Sequence, residues 1–414
     1  MRISDLSAWT LSSPIDPPQK RRFYGGVRRL LKRDAVLVRL ETTDGAVGFA
    51  PGGASSSAMR EYFEGASHGG FVDLLESDVA DAVSGADVDD PERLADRVRD
   101  LGLPRLLESQ AISAVDVAAH DVWGKAAGAP VYELLAEEAP DVTTSLPLYA
   151  SAGMYMEPEG YAEQAAAIRE RGFGGYKYRP GLGPDEDRRT LRLLRERVGN
   201  DMDLMVDAHT WWKLGERSYT FDEIVALLDD LTKHDPCWIE EPVEPGDHGA
   251  YARLSERTDV SLAGGESEES PEGLIALTED GRVGFLQGDV RHHEGFTGTM
   301  RAARHCAGRD VRFVPHNFGT TLGLVANAHL TAAAPETRLL EYPVFGDDVA
   351  GMYPFPLAEA ILDTDLDLAD GTLDVPDDPG LGVEMNLDVV EEYPEIEGPW
   401  TEFEYDEGVT PDGE

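Results

Sequence analysis

Polar side chains that can bind metals or move protons follow a series of short apolar runs in this sequence. They are Lys177, Arg179, Asp207, His209, Glu240, Glu266, Asp289, His316 and Glu341. Carboxylates are the preferred ligands of hard cations, and histidine and lysine side chains exchange protons during catalysis. One carboxylate after one run would be unremarkable, but a polar group after almost every run indicates a single shared site.

Three of the carboxylates, Asp207, Glu240 and Glu266, end three consecutive runs. If these runs are neighbouring parallel strands, the three negative charges converge and require a cation. Oxygen ligands of this kind favour Mg²⁺ over zinc. The alternative, that the acids simply belong to an acidic surface, is weakened because apolar residues precede each of them. The sequence therefore predicts a Mg²⁺ site.

Two histidines stand next to carboxylates in this pattern. Asp289 ends the run before His316, so its carboxylate can fix the tautomer of the imidazole and raise its basicity, as a general base requires. A buried structural histidine is the alternative. His209 lies on the same strand face as Asp207, because side chains alternate along a strand. It can protonate a leaving group or hydrogen-bond a substrate hydroxyl.

Lys177 and Arg179 have the same two-residue spacing and predict an anionic substrate. Lys177 could instead lose its proton beside Arg179 and act as a base. A metal, a cationic pair and a histidine–aspartate pair suit the removal of a proton next to a carboxylate. That proton is very weakly acidic, so the enediolate that forms needs electrostatic stabilisation.

These residues follow eight β-like runs that alternate with helix-like segments. The runs span residues 146–151, 174–179, 203–209, 237–243, 261–267, 285–290, 312–317 and 338–343. The segments between them have apolar positions at helical spacing and end in Gly or Pro. This alternation predicts parallel βαβ units, and eight such units favour a closed barrel over an open sheet.

The first 140 residues have a different pattern. A hairpin with an Asp44-Gly45 turn is followed by two helical stretches, which predicts an α+β domain. We expect this domain, residues 1–140, to be completed by the segment 361–414. Residues 141–360 would then form the barrel.

Composition excludes several classes of protein. The 414 residues include 80 Asp and Glu against 36 Lys and Arg, and the net charge of −44 excludes binding to nucleic acid through phosphates. Such a surface is typical of halophilic proteins, in which salt screens the repulsion between charges. Cys237 and Cys306 provide neither a disulfide framework nor a zinc site. No segment resembles a signal peptide or a membrane span, so we expect a cytoplasmic protein without a membrane partner.

The order of these motifs resembles the mandelate racemase subgroup of the enolase superfamily. The resemblance covers about residues 1–395 and is carried by Asp207, Glu240 in WIEEP, Glu266 in GGE, Asp289 in GDV and His316 in VPHN. The segment HLTAAAPETRLLEYP is also similar and places Glu341 on the eighth strand.

The resemblance implies an α/β fold, a modified (β/α)₇β TIM barrel under an N-terminal α+β capping domain, so that one of eight helices should be missing or displaced. It implies Mg²⁺ bound by the three carboxylates, His316 with Asp289 as the base, and Glu341 as a hydrogen-bond donor to the substrate carboxylate. It also implies a small-molecule sugar-acid substrate and a homo-oligomer, which in this family is often an octamer.

One departure from the family pattern affects the predicted reaction. The racemases carry Lys-x-Lys, whereas this chain has Lys177-Tyr178-Arg179, and arginine is too basic to act readily as a base. The Asp207-Ala-His209 pattern is similar to that of sugar-acid dehydratases such as the galactonate type. We therefore predict a dehydratase, in which His316 removes the C2 proton and His209 protonates the C3 hydroxyl. A racemase or epimerase, a lactonising enzyme and a non-catalytic binding protein are the alternatives.

The identity of the sugar acid stays open among xylonate, gluconate, galactonate and arabinonate. We expect Arg179, Lys177, Glu341 and Tyr24 to contact the substrate. Loops at residues 13–26 and 51–70 are expected to shape specificity. Further aromatic and histidine candidates at the barrel end are Trp211, Trp212, His292 and His293.

Overall fold

Two sheets organise the chain in this computed structural model. The structure describes residues 1–53, 70–136, 142–212, 217–346 and 353–407. One sheet is antiparallel and includes the first three strands, and the other is a parallel sheet in which the barrel strands follow one another. In these described ranges, no helix is both long and apolar enough to cross a membrane.

The antiparallel sheet consists of four strands. They are β1 (Ile3–Phe23), β2 (Gly26–Thr42), β3 (Val47–Gly52) and β14 (Thr401–Tyr405). Strand β2 pairs with each of the other three. Gly45 has a φ of 84° in the turn between β2 and β3, which the predicted Asp44-Gly45 hairpin requires.

The expectation of a loop at residues 13–26 was wrong, because β1 continues to Phe23. This stretch carries prolines at positions 14, 17 and 18. The pairing with β2 shifts register between Pro14 and Gln19 and then resumes. Proline has no N–H group to donate, so a register shift accommodates it within a long hairpin. Most of the other predicted specificity loop, residues 54–69, lies outside the described residues.

Helices of the N-terminal part cover one face of this sheet. They are α1 (Phe71–Leu74), a π-turn (Leu75–Val79), α2 (Ala80–Val83), α3 (Pro91–Arg99), α4 (Arg105–Ala127) and α5 (Val131–Leu135). Helix α4 is buried over most of its length, because it packs against β3 on one side and against a barrel helix on the other. It ends at Gly128, whose φ of 69° is the left-handed conformation that glycine adopts readily.

Within the described residues, eight parallel strands form the barrel. They are β4 (Ser145–Met154), β5 (Gly175–Arg179), β6 (Asp203–Asp207), β7 (Trp238–Glu240), β8 (Leu262–Gly264), β9 (Phe285–Leu286), β10 (Arg312–Phe313) and β11 (Leu340–Pro343). The ladder runs from β10 back to β4, which also pairs with β11. Side chains of Tyr149, Met205, Trp238, Ala263, Phe285 and Val314 fill the interior. Each of the eight predicted runs overlaps one of these strands, and β4 extends beyond its run at both ends.

Helices separate the barrel strands. They are α6 (Pro158–Glu170), α7 (Pro184–Val198), α8 (Phe221–Leu231), α9 (His248–Ser255), α10 (Pro271–Glu279), α11 (Gly295–Cys306) and α12 (Thr321–Ala333). In the part of the chain that the structure describes, only the four-residue helix α13 (Leu357–Ala360) follows β11 before the chain leaves the barrel. The predicted (β/α)₇β barrel is therefore confirmed.

Local sequence explains where several barrel helices begin. Proline occupies the first position of α6, α7 and α10, where its missing N–H group costs nothing. Helix α8 begins with a capping box, in which Thr220 accepts from the Glu223 N–H and Glu223 accepts from the Thr220 N–H.

The remaining elements attach the C-terminal segment to both sheets. They are β12 (Leu368–Ala369), β13 (Thr372–Asp374) and α14 (Val389–Glu392). Strand β13 pairs with barrel strand β4, whereas β14 pairs with β2. The domain boundaries at residues 140 and 360 stay a prediction, and residues 137–141 lie outside the described residues.

Candidate active site

The predicted polar residues meet at the carboxyl ends of the barrel strands. Lys177 and Arg179 lie on β5, Asp207 ends β6, and Glu240 ends β7. Glu341 lies on β11, which is joined to β5 through β4. All five side chains are buried. Because the carboxyl ends of parallel strands open at one mouth, these groups face a common site.

Lys177 lies at the centre of this site. Its Nζ is 2.7 Å from Oε1 of Glu240, 2.8 Å from Oε1 of Glu341 and 3.8 Å from Oδ2 of Asp207. Burial lowers the pKa of Lys177, but the carboxylates of Glu240 and Glu341 outweigh it and raise the pKa above its ordinary value. In this geometry Lys177 is an ammonium ion that balances the carboxylates.

Arg179 pairs with the same aspartate. Its Nε lies 2.8 Å from Oδ2 of Asp207, and its guanidinium carbon lies 4.4 Å from the centre of the Phe318 ring. The Nη1 atom is buried and has no hydrogen-bond partner among the described residues. Buried donors are normally satisfied, so this atom indicates a place for an anionic group of a ligand.

Asp207 also contacts the predicted acid. Nδ1 of His209 lies 2.5 Å from Oδ1 of Asp207. Burial raises the pKa of Asp207, but the charges of His209 and Arg179 outweigh it and hold the pKa well below its usual range. Asp207 is therefore an anion that fixes the orientation of the His209 ring.

His316 lies between two carboxylates. Its Nδ1 is 2.9 Å from Oδ2 of Asp289, and its Nε2 is 3.0 Å from Oε2 of Glu266. Burial lowers the pKa of His316, but Glu266 and Asp289 outweigh it and raise the pKa to about 10. The structure thus brings together the pair that the sequence predicts, with the second ring nitrogen aimed at one of the predicted metal ligands.

Each of the three predicted metal ligands is paired with a cationic side chain, but two of them keep a carboxylate oxygen without a hydrogen bond. Oδ2 of Asp207 and Oε2 of Glu266 are buried and accept no hydrogen bond, although each has an ion-pair contact. Burial raises the pKa of Glu240 to about 7. Buried carboxylate oxygens without hydrogen bonds favour a cation, and an all-oxygen set suits Mg²⁺.

Lys177, Arg179 and His316 separate these carboxylates from one another. Within the described residues, no three His, Cys, Asp or Glu side chains are close enough together to bind a metal ion as they stand. The residues present fit a Mg²⁺ ion in type and charge.

The sequence analysis did not predict several residues that donate hydrogen bonds to the carboxylates of the site. Nε of Arg291 lies 3.1 Å from both carboxylate oxygens of Asp289, and Nε2 of Gln287 donates to Oε2 of Glu240 over 2.6 Å. Both stand two positions from Asp289, the spacing that also identified Arg179 and His209. Asn317 was missed as well, and its N–H donates to Oε2 of Glu341 over 3.0 Å.

Tyr24 lies in the turn between β1 and β2, and this turn rests on the barrel. The Tyr24 N–H donates to the carbonyl of Gly181, just after β5, and the ring stands edge-on to Tyr219. The exposed fraction of Tyr24 is 38%. The tip of the capping sheet therefore lies next to the end of the strand that carries Lys177 and Arg179.

The other four candidates at the barrel end, which are two tryptophans and two histidines, have different environments. Trp211 is fully buried and donates to Asp187, and both ring nitrogens of His293 contact backbone atoms. Trp212 donates to the carbonyl of Glu241. The His292 ring lies 6.5 Å from the His316 ring, and burial lowers the pKa of His292 to about 3. Of these four, His292 is therefore the one beside the predicted base.

Two family models match the chain. Residues 160–389 match the model described as enolase C-terminal domain-like, which is more than half of the chain. Residues 20–136 match the N-terminal domain of mandelate racemase and muconate lactonizing enzyme. This chain belongs to the mandelate racemase/muconate lactonizing enzyme family. The resemblance carried by the WIEEP, GGE, GDV and VPHN motifs is thereby confirmed.

Similar members of this family have different activities. The D-galactarolactone cycloisomerase of Agrobacterium fabrum is 29% identical over 403 residues, 95% of this chain and 99% of the relative. The arabinonate dehydratase of Saccharolobus solfataricus is 29% identical over 286 residues, 68% of this chain and 71% of the relative. The crystal structure of the 3,6-anhydro-D-galactonate cycloisomerase from Zobellia galactanivorans is 25% identical, with a TM-score of 0.78. The match covers 96% of this chain and 100% of that one.

Proposed function

We propose that this family member is a Mg²⁺-dependent sugar-acid dehydratase. The observation that carries the proposal is the position of His316 between Asp289 and Glu266. One ring nitrogen is held by a carboxylate, and the other faces the proposed metal site. That is the arrangement of a base that removes a proton from a metal-bound acid.

His316 would act first: with Glu266 bound to the metal instead of to Nε2, the carboxylate that raises the pKa of His316 is withdrawn, and Nε2 would take the proton from C2 of the substrate. The electron pair of the C2–H bond moves toward the substrate carboxylate and gives an enediolate. A Mg²⁺ ion bound by Asp207, Glu240 and Glu266 would supply positive charge at that carboxylate. Lys177 and the unpartnered Nη1 of Arg179 add donors on the same side of the site.

His209 would act second, as the acid. The enediolate electrons form the C2–C3 double bond, the C3–O bond breaks, and the departing hydroxyl leaves as water with the proton from His209. The enol product then tautomerises to a 2-keto-3-deoxy sugar acid. His209 follows β6 whereas His316 follows β10. The proposed acid and base are therefore separate side chains that follow different strands.

The geometry speaks against racemisation. A two-base racemase needs a second base on the opposite side of C2, where the family carries its second lysine. This chain has Arg179 there, and an arginine in contact with Asp207 keeps its proton at neutral pH. Lys177 is also engaged as an ammonium ion with Glu240 and Glu341. All the residues of a metal-assisted base are present, which also disfavours a non-catalytic binding protein.

Cycloisomerisation of a sugar lactone is the second candidate. The Agrobacterium fabrum relative is a cycloisomerase and matches nearly the whole chain. In such a reaction the same base would remove the proton next to the carboxylate, but the leaving oxygen would stay attached to the product. The dehydratase and the cycloisomerase therefore differ in one property, the loss of water.

The experiment that tests the proposal uses a panel of aldonates and aldonolactones in multimolar KCl with Mg²⁺. The salt screens the net charge of −44. A carbonyl reagent detects the 2-keto acid, and mass spectrometry detects the loss of one water molecule. Keto acid with water loss supports dehydration, and isomerisation of a lactone at constant mass supports the cycloisomerase. Exchange of the C2 proton with D₂O without either product would leave only an epimerase.

A further inference from the structure

Helix α4 carries a buried polar stripe on the side that faces the barrel. Ser109, Ser113 and Asp116 occupy positions one and two helical turns apart, so their side chains share one face. None of the three is more than 2% exposed. Buried polar groups are costly unless they are hydrogen-bonded, so the stripe requires partners across the interface.

The partners lie at the start of barrel helix α11 and in the turn before it, and all but the Thr297 hydroxyl belong to the backbone. Ser109 Oγ donates to the His292 carbonyl over 2.7 Å, and the Gly295 N–H donates to Ser113 Oγ over 2.9 Å. Oδ1 of Asp116 accepts from the N–H groups of Phe296 (2.6 Å) and Thr297 (3.3 Å). Oδ2 of Asp116 accepts from Thr297 Oγ1 over 2.5 Å. The capping helix therefore holds this segment at successive backbone positions.

Asp116 supplies the N-terminal cap that α11 does not provide for itself. The residue before the helix, Glu294, has a left-handed conformation and makes no side-chain cap. A carboxylate at this end of a helix satisfies open N–H groups and complements the helix dipole. Gly295 has a φ of 67°, and a Cβ there would lie 2.3 Å from Oδ1 of Asp116. Glycine at 295 thus permits the close approach.

The segment held by the stripe begins at Asp289. The backbone N–H groups of His292 and His293 both donate to the Asp289 carbonyl over 3.0 Å, and the Arg291 N–H donates to its carboxylate over 2.9 Å. One tight turn therefore connects Asp289 with the backbone that α4 holds. The same carboxylate holds Nδ1 of His316.

We propose that Ser109, Ser113 and Asp116 are positioning residues for the base. The capping helix fixes the turn, the turn fixes the Asp289 carboxylate, and that carboxylate orients His316. The inference rests on the proposed function, in which His316 removes the substrate proton. It gives the capping domain a part in setting up the base as well as in covering the barrel mouth.

Asp121 on the same helix provides a matched control. It is also buried, and it accepts hydrogen bonds from the backbone N–H groups of Phe49 and Leu381, each over 2.9 Å. Those partners belong to strand β3 and to the C-terminal segment. Asp116→Asn and Asp121→Asn therefore remove the same charge from the same helix, but only the first loosens the turn that carries Asp289.

The first measurement is the rate of C2 proton exchange in multimolar KCl. We expect Asp116→Asn to lower kcat about tenfold to a hundredfold, because small misplacements of reacting groups are costly. KM should change little, since Asp116 contacts Phe296, Thr297 and His120, none of which is a proposed substrate contact. Asp121→Asn should lower the thermal midpoint and leave kcat nearly unchanged. If Asp116→Asn does not fold, Ser113→Ala is expected to show the same pattern to a smaller degree.

The second measurement needs no substrate. In protein with ¹⁵N-labelled histidine, the Nδ1 proton of His316 should give a downfield signal, and Asp289→Asn identifies it by removing it. Asp116→Asn should shift or broaden that signal, and Asp121→Asn should not. Equal kinetic effects of the two variants, or an unchanged His316 signal in Asp116→Asn, would overturn the inference. If the wild-type protein turns over no sugar acid, the proposed function fails, but this comparison still tests the positioning.

Discussion

Arg179 and Asp207 form a buried ion pair, with Nε of the arginine 2.8 Å from Oδ2 of the carboxylate. The arginine takes the place of the second lysine of the family racemases. A proposed metal ligand is thus already in contact with a fixed positive charge. Any cation that Asp207 binds shares this carboxylate with Arg179, so the arginine influences both metal binding and substrate binding.

Replacing Arg179 with Gln should separate these two effects. The loss of a positive charge beside Asp207 should lower the Kd of Mg²⁺ several-fold. The substrate should lose an anion contact, so KM should rise about tenfold, which corresponds to roughly 1.4 kcal/mol. Calorimetry with Mg²⁺ and steady-state kinetics measure the two quantities. Arg188→Gln, which removes an arginine paired with Asp230 on a barrel helix, is the charge-matched control. An equal gain in Mg²⁺ affinity in both variants would assign the effect to net charge alone.

Replacing His316 with Asn should abolish exchange of the C2 proton with D₂O. The amide keeps the approximate size of the ring but cannot accept the proton, and a general base contributes about 10²- to 10⁴-fold to the rate. NMR of the recovered substrate measures the exchange. His305→Asn, on the barrel helix α11, should leave the rate unchanged. Exchange that persists in His316→Asn would identify Lys177 as the base.

Mg²⁺ should stabilise the folded protein through Glu240. A ligand that binds only the native state raises the free energy of unfolding by about 2.7 kcal/mol at a concentration of a hundred times its Kd. Thermal unfolding with and without Mg²⁺, at constant KCl, measures this effect. Glu240→Gln should lose the stabilisation and the activity. Glu268→Gln removes a buried carboxylate that pairs with His248 instead, and it should retain the Mg²⁺ effect.

Asp187 should make stability depend on pH. Burial raises its pKa to about 7, while Trp211 and Tyr219 donate hydrogen bonds to its Oδ2 and its neighbour Glu186 adds negative charge. Between about pH 4 and pH 7 the unfolded state loses the proton and the native state keeps it. The contribution of Asp187 to stability therefore falls by about 1.4 kcal/mol per pH unit as the pH rises through that window.

Asp187→Asn should remove this dependence, because an amide oxygen accepts the same two hydrogen bonds and does not ionise. Urea unfolding of both proteins at constant KCl, from pH 5 to pH 8, gives the difference in free energy of unfolding. We expect the free energy of unfolding of the variant, relative to that of the wild type, to increase with pH up to about pH 7. Above that pH the difference between the two proteins should be constant. Parallel curves throughout would show that the carboxyl group ionises normally in the native state.

The sequence sufficed to predict the residues at the strand ends. Asp207, Glu240 and Glu266 each end an apolar run, and the geometry of a parallel barrel brings such ends together. Asp289 and His316 were predicted as a pair because their strands are consecutive. These inferences depend on local periodicity and one general rule of topology, both of which are visible in a single chain.

Other contacts depend on tertiary packing that periodicity does not reveal. The Phe296 N–H and Asp116 are 180 residues apart in sequence. Arg291 was missed although it holds Asp289, because one more arginine in a loop carries no signal of its own. Lys177 was predicted to contact the substrate, which stays a prediction; in the structure its Nζ bridges Glu240 and Glu341. The extent of β1 was hidden by its prolines.

The pairing of β14 with β2 affects the order of events during biosynthesis. Arg28 on β2 donates to Thr401 at the start of β14, and the two residues are 373 positions apart. All eight barrel strands are therefore translated before this partner of β2 exists. Until then the part of β2 that pairs with β14 exposes unpaired N–H and C=O groups. Such edges are sites of aggregation. The part of β2 that pairs with β14 is thus the last part of the antiparallel sheet to gain its partner during synthesis.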